Sequence, residues 1–283
     1  MEGAPGGRRM EANGLSFHVE DHGEGSPVLL LHGWPDSSYL WRHQIPALAA
    51  AGHRVIAPDL RGFGRSDRPS EATAYAMTTL VADVAGILDA AGVERATVVG
   101  HDWGASLAWV VAGFLPERVE RLVVLSVGHP TAFARVGMRQ WQRSWYMLWF
   151  QFEGVAEAAL PRNDWQLFRD FVGSGGGDVD RYIADLSRPG ALTASLNWYR
   201  ANISPAMFGG EPPRLPPARC PTMGIWSSGD FALTEEQMQL SAEHVDASWR
   251  LERIDGCGHW IPVQAPDVLN RLLLDFIPTP AGV

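Results

Sequence analysis

Short, wholly apolar runs alternate along this chain with longer stretches in which apolar residues recur at helical spacing. Residues 15–20 read as a first strand. Residues 27–31 form a second, apolar throughout, that ends at His32-Gly33-Trp34-Pro35. Residues 40–51 carry the helical period and stop at Gly52. A strand over 54–57 leads into a loop, Pro58 to Ser66, punctuated by Gly62 and Gly64. The spacing over 78–91 predicts a helix with Gly92 at the position just past its end. A strand over 96–99, a helix over 105–115 and a strand over 122–127 follow. Buried strands separated by helices mean βαβ units, a mostly parallel sheet and an α/β fold.

At Gly128 the alternation stops. From 131 to 210 there is no buried-strand pattern, only helical segments crowded with aromatics such as Trp141, Trp145, Tyr146, Trp149, Phe150 and Tyr199. Gly173-Ser174-Gly175-Gly176-Gly177 breaks this stretch as a flexible loop. No strand feeds it and no Lys-Ser/Thr follows, so it lacks the features of a phosphate cradle. Pro212-Pro213 and Pro216-Pro217 mark the far edge. The α/β pattern then resumes with a strand over 222–226, a helix over 235–245, a strand over 248–254 and a helix over 266–276. The expected organisation is an α/β core of 1–130 and 213–283 with a helical cap, or lid, of 131–212 inserted between two strands.

Composition narrows the function classes. Of 283 residues, 46% are hydrophobic and 19% charged, the balance of a globular protein. A net charge of −9 argues against a nucleic-acid partner, since phosphate binding needs a basic surface. No apolar run approaches the roughly 20 residues needed to span a bilayer. Met1 to Arg9 lacks the apolar centre of a secretory signal and reads as a flexible leader. Two cysteines, Cys220 and Cys257, make no disulfide framework, and a reduced cytoplasmic setting is expected. No metal-binding cluster or cofactor motif appears, and nothing in the pattern specifies an assembly.

The chemistry gathers at strand ends. Val98-Val99-Gly100-His101-Asp102-Trp103-Gly104 has the strand–turn–helix context of a nucleophile elbow, whose glycines permit a tight, strained turn. Asp102 occupies the place of the usual serine. A carboxylate there can attack an sp³ carbon and form an ester that water releases. Alternatively, Asp102 is simply the N-cap of the helix that follows. Asp230, just past the 222–226 strand, and His259, just past the 248–254 strand, complete the order nucleophile, acid, histidine. In an open parallel sheet, sites form outside the carboxyl ends of the strands.

His32-Gly33-Trp34-Pro35, Gly100-His101-Asp102-Trp103-Gly104, Asn197-Trp198-Tyr199-Arg200 and Asp255-Gly256-Cys257-Gly258-His259-Trp260 resemble the epoxide hydrolase branch of the α/β-hydrolase superfamily. The similarity runs from Leu15 to Phe276. It implies that Asp102 opens an epoxide, and that His259, oriented by Asp230, activates the water that hydrolyses the ester. It also implies an oxyanion hole from the backbone N–H groups of Trp34 and Trp103, and two lid tyrosines on the epoxide oxygen. Tyr199 matches one. At the expected place of the second stands Trp149, whose indole only donates; Tyr146, three residues earlier, is the other candidate.

That tryptophan strengthens a rival, although Tyr199 has no evident task in halide release. Haloalkane dehalogenases use the same acid and histidine logic but clasp the halide with indole N–H groups, here Trp103 and Trp149. A third reading is a catalytically silent ligand-binding protein, although no triad member is missing. For the first reading the aromatic-rich lid points to a bulky apolar epoxide as partner. His32, His101 and His129 are expected to buttress loops, Cys257 to be a small buried hydrophobe, and Glu153 and Glu157 to lie on a solvated face.

Overall fold

The computed structural model describes residues 7–278 except 209 and 212. One sheet holds β1 (Gly7–Ala12), β2 (Leu15–His22), β3 (Ser26–Leu31), β4 (His53–Pro58), β5 (Ala96–His101), β6 (Val119–Leu125), β7 (Thr222–Ser227) and β8 (Trp249–Ile254). Their order in space is β1-β2-β4-β3-β5-β6-β7-β8. β4 through β8 pair in parallel, while β1 and β2 are antiparallel additions at one edge. β5 is buried along its whole length, as a central parallel strand covered on both faces must be. Removing each of its valines from water contributes roughly 1.5–3 kcal/mol before the entropy of ordering is counted.

In the first half, α1 (Gln44–Ala50), α2 (Met77–Ala90) and α3 (Trp103–Phe114) flank the sheet. Between β6 and β7 the described chain is helical: α4 (Pro130–Arg135), α5 (Met138–Arg143), α6 (Tyr146–Trp149), α7 (Val155–Ala159), α8 (Arg162–Gly173), α9 (Val179–Leu186) and α10 (Ala191–Asn202). α11 (Glu235–Leu240) joins β7 to β8, and α12 (Ile261–Gln264) and α13 (Pro266–Phe276) close the chain. The doubly flanked parallel sheet is the fold that the strand and helix periods predict.

Several expectations need correction. Gly7 to Arg9 are not leader but the start of β1, paired with His18 to Glu20; Met1 to Gly6 lie outside the described residues. Asn13-Gly14, both at positive φ, turns β1 into β2, the preferred two-residue hairpin turn. The helix expected over 40–51 is a 3₁₀ turn followed by α1, and that over 235–245 is α11 followed by another 3₁₀ turn. The glycine-rich loop after α8 is packed rather than free. A side chain at Gly175 would meet the rings of Phe231 and Trp260 at 2.5 Å. Of the proline pair at the far edge of the helical stretch, Pro212 lies outside the described residues.

Candidate active site

Asp102 sits at the end of β5 with φ 54° and ψ −121°, a backbone conformation costly for any residue with a side chain. The flanking glycines make the turn possible by allowing backbone to touch backbone. A Cβ on Gly100 would stand 2.3 Å from the Gly104 carbonyl oxygen, and one on Gly104 would stand 2.1 Å from that of Leu31. Asp102 does stand at the N-cap position of α3, its main-chain oxygen accepting the Ala105 and Ser106 N–H groups, but its side chain makes no capping bond into the helix. Instead, its Oδ1 accepts the backbone N–H of Trp34 at 2.8 Å, with the Trp103 N–H also facing the carboxylate. Burial pushes the Asp102 carboxyl above its ordinary value, against the charge of His259 and the two amides, which favour the ionised form.

His259 is 3% exposed. Its Nδ1 is 2.9 Å from Asp230 Oδ2, and its Nε2 lies 3.7 Å from Asp102 Oδ2, too long for a direct hydrogen bond. Burial lowers the imidazole's proton affinity. The Asp230 charge and hydrogen bond, with help from Asp102, outweigh it, and the net direction is upward. Asp230 is itself fixed, because its Oδ1 accepts the N–H groups of Ala232 and Leu233 at 2.9 Å each. The main-chain oxygen of His259 receives His101 Nε2 at 3.0 Å and the Ser126 hydroxyl at 3.2 Å. Two strand ends therefore grip the histidine's backbone while the acid grips its ring. His32 does similar work, donating from Nδ1 to Gly33 O and accepting the Leu60 N–H at Nε2.

Above this triad-like set lie two phenols. Tyr146 of α6 and Tyr199 of α10 are buried, line one cavity with Asp102, and have ring centroids 6.0 Å apart. Burial foremost, then the nearby Asp102 charge, raises both phenols well above their usual range, so they keep their protons. Trp149 does not join them. It packs against Trp145 and Phe150 and is not among the residues that line the cavity. The expectation that it faces the site gives way to Tyr146, because the turn of α6 carries the phenol inward and the indole onto the aromatic surface. Cys257 is buried, with its thiol pushed up to about 11 by burial and the Asp230 charge. His129 caps α4 and stacks on His244, away from the cavity.

The Asn-Trp-Tyr-Arg motif is a set of tethers around its tyrosine. Asn197 donates to Ser70 O and the Trp198 indole to Arg61 O. Arg200 donates to Phe150 O and clasps Glu157 through both carboxylate oxygens at 2.7 and 2.9 Å. Glu157 is thus a partner of the site's framework and not part of a solvated face; its signal in the sequence was the arginine of the motif.

A family model described as the alpha/beta hydrolase fold matches residues 26–266. Epoxide hydrolase A of Mycobacterium tuberculosis is 34% identical over 97% of this chain and 98% of that protein. The chain belongs to the epoxide hydrolase branch of the α/β-hydrolase superfamily. An AB hydrolase superfamily protein of Bacillus subtilis is 35% identical over 95% of this chain and 96% of its own length. The crystal structure of an epoxide hydrolase A from Mycobacterium thermoresistibile superposes with a TM-score of 0.83 at 31% identity, covering 97% of this chain and 98% of that one. The family's fold accounts for the placement of Asp102, Asp230 and His259, each beyond the carboxyl end of a parallel strand.

Proposed function

We propose that this hydrolase opens epoxides to diols through an ester on Asp102. The observation that carries the reading is the pair of buried, protonated phenols facing the same cavity as Asp102. A carboxylate oxygen attacks one oxirane carbon from the side opposite the ring oxygen, that carbon's own C–O bond breaks, and a phenol of Tyr199 or Tyr146 gives its proton to the departing oxygen. His259, held by Asp230, then takes a proton from water, and the hydroxide adds to the ester carbon. The oxygen that accepts the Trp34 amide at 2.8 Å in the free protein is placed to become the oxyanion between Trp34 and Trp103. Collapse releases the diol, with the proton on His259 going to the leaving oxygen. The regenerated carboxyl returns a proton to the phenolate.

In this reading the helices of 131–212 form a cap over a core of 1–130 and 213–283. The cap supplies both tyrosines and the core supplies the rest. Halide departs without needing a proton, so two phenols have no task in dehalogenation, and Trp149 stands outside the cavity where an indole pair with Trp103 would be needed.

Intact mass of a His259→Gln protein tests the reading. With the water-activating base gone, incubation with an epoxide adds the epoxide's full mass to Asp102. An alkyl halide would add its mass less HX and point to dehalogenation. No adduct from either, alongside retained binding, would point to a silent receptor.

A further inference from the structure

The cavity that holds Asp102 has a volume of about 540 Å³ and extends away from the carboxylate in one direction. Its floor is one side of α3, where Trp103, Ser106, Val110 and Phe114 recur at intervals of three and four residues. Those eleven steps along the helix span about 16 Å. Met207 and Leu215 also line the cavity, and Phe114 is 55% exposed, so the far end reaches the surface. Among the described residues, Asp102 is the only charged side chain on the cavity wall.

The other side of the site is shut. Tyr199 meets Phe150 at 5.0 Å between ring centroids, Phe150 meets Trp34 at 5.3 Å, and Trp34 meets Phe171 at 6.4 Å. Phe171 meets Phe231 at 5.5 Å, and Phe231 faces His259 at 6.0 Å. Rings thus follow one another from the cap tyrosine to the histidine. Phe150 in this row and Phe168, which packs on Trp34, are fully buried.

The two carbons of an oxirane carry substituents that diverge. A site open on one side and walled on the other accommodates one long substituent but not two. We infer that this protein prefers terminal epoxides bearing a single long, uncharged apolar arm laid along α3. This rests on the epoxide reading above and adds the shape of the substrate to it.

Two substrate series decide the matter: 1,2-epoxyalkanes of increasing length, and trans-2,3-epoxyalkanes of the same carbon numbers. In the terminal series kcat/KM rises by about fourfold per methylene, until the arm outruns the channel. The trans isomers are slower by about 100-fold, the cost of forcing a second arm into packed rings. Phe171→Ala narrows that gap by about tenfold, and Val110→Trp flattens the length dependence by filling the channel. Equal rates for the two series, or a flat length series in the wild type, overturn the inference. So does an unchanged gap in a folded Phe171→Ala protein. Should that variant not fold, the wild-type series decides alone. Absence of any turnover or Asp102 adduct with every epoxide overturns the epoxide reading itself, a different outcome from turnover without shape preference.

Discussion

His259 and Asp102 carry opposite demands on the same few ångströms. In the proposed mechanism the imidazole must be neutral to take a proton from water, yet Asp230 and Asp102 both lift its proton affinity above the ordinary 6.5. Below its raised value the ring is charged and idle, so kcat is lost as the pH falls through that value and is present above it. The ester proposed on Asp102 would remove that residue's charge and its share of the lift, which leaves burial against Asp230. Asp230→Asn removes the larger favourable cause and unsettles the ring's tautomer. Activity then falls by about 10³–10⁴-fold, and the acid limb of the residual kcat moves to lower pH. A pH–rate profile checks both; a limb that stays in place would mean that Asp230 does not set the imidazole's charge. Asp102 and Asp230 were legible in the sequence because each follows an apolar strand at a glycine-marked turn, and His259 because it sits in a glycine-marked turn after the alternating strand β8. The choice between Tyr146 and Trp149 was not. They lie three residues apart on one helical turn within a run of aromatics, and only the packing of α6 decides which ring turns inward.

Elements hold those residues in place through close backbone contact and a few charged tethers. The elbow depends on α3 starting directly against β3, and Gly104→Ala drives a methyl into the Leu31 and His32 carbonyl oxygens. A loss of about 4 kcal/mol or more is expected, read as little folded protein at 37 °C. The clamp of Arg200 on Glu157 joins α10, which bears Tyr199, to the chain after α6, which bears Tyr146. Arg200 also donates to Phe150 O, and Gln151 bridges Met147 O and Tyr199 O. Arg200 holds the Glu157 carboxyl below its usual range despite the cost of burial. Glu157→Ala leaves the guanidinium 7% exposed and without its carboxylate, at a cost of about 2 kcal/mol. Denaturant midpoints give that cost. If the clamp aligns both phenols, kcat falls more than KM rises; a loss of stability with unchanged kcat would make the clamp merely structural. At this scale the sheet was legible, since apolar runs of four to six residues bounded by glycine and proline have few other uses. β1 was missed because its arginines face solvent and hide the strand period, although Asn13-Gly14 marked the hairpin. The short helices α5 to α7 have too few turns for a period to show.

The whole molecule is joined across its two layers by a buried carboxyl. Asp36 follows the turn that carries Trp34, and it accepts the Tyr182 hydroxyl of α9 at 2.7 Å and the Ser37 amide at 2.9 Å. Burial, resisted by those two donors, raises its carboxyl from 3.8 to about 7. Below about pH 4 the folded and unfolded chains both hold this proton. Between there and about 7 the folded chain alone holds it, so every rise in pH through that window favours unfolding. Above it the penalty is complete, at most about 4 kcal/mol for a shift of this size. Asp36→Asn keeps a partner for the Tyr182 hydroxyl and removes the ionisation. The variant is therefore expected to match the wild type near pH 4 and to exceed its unfolding free energy at pH 8, with the gap opening between the two. Tyr182→Phe acts in the opposite sense: one donor to the carboxylate is gone, the proton is held more tightly, and the upper edge of the window of falling stability moves to higher pH. Urea midpoints for the three proteins across pH 4–9 read all of this directly. Parallel curves for wild type and Asp36→Asn would show that the carboxyl is ionised in the folded state at no cost.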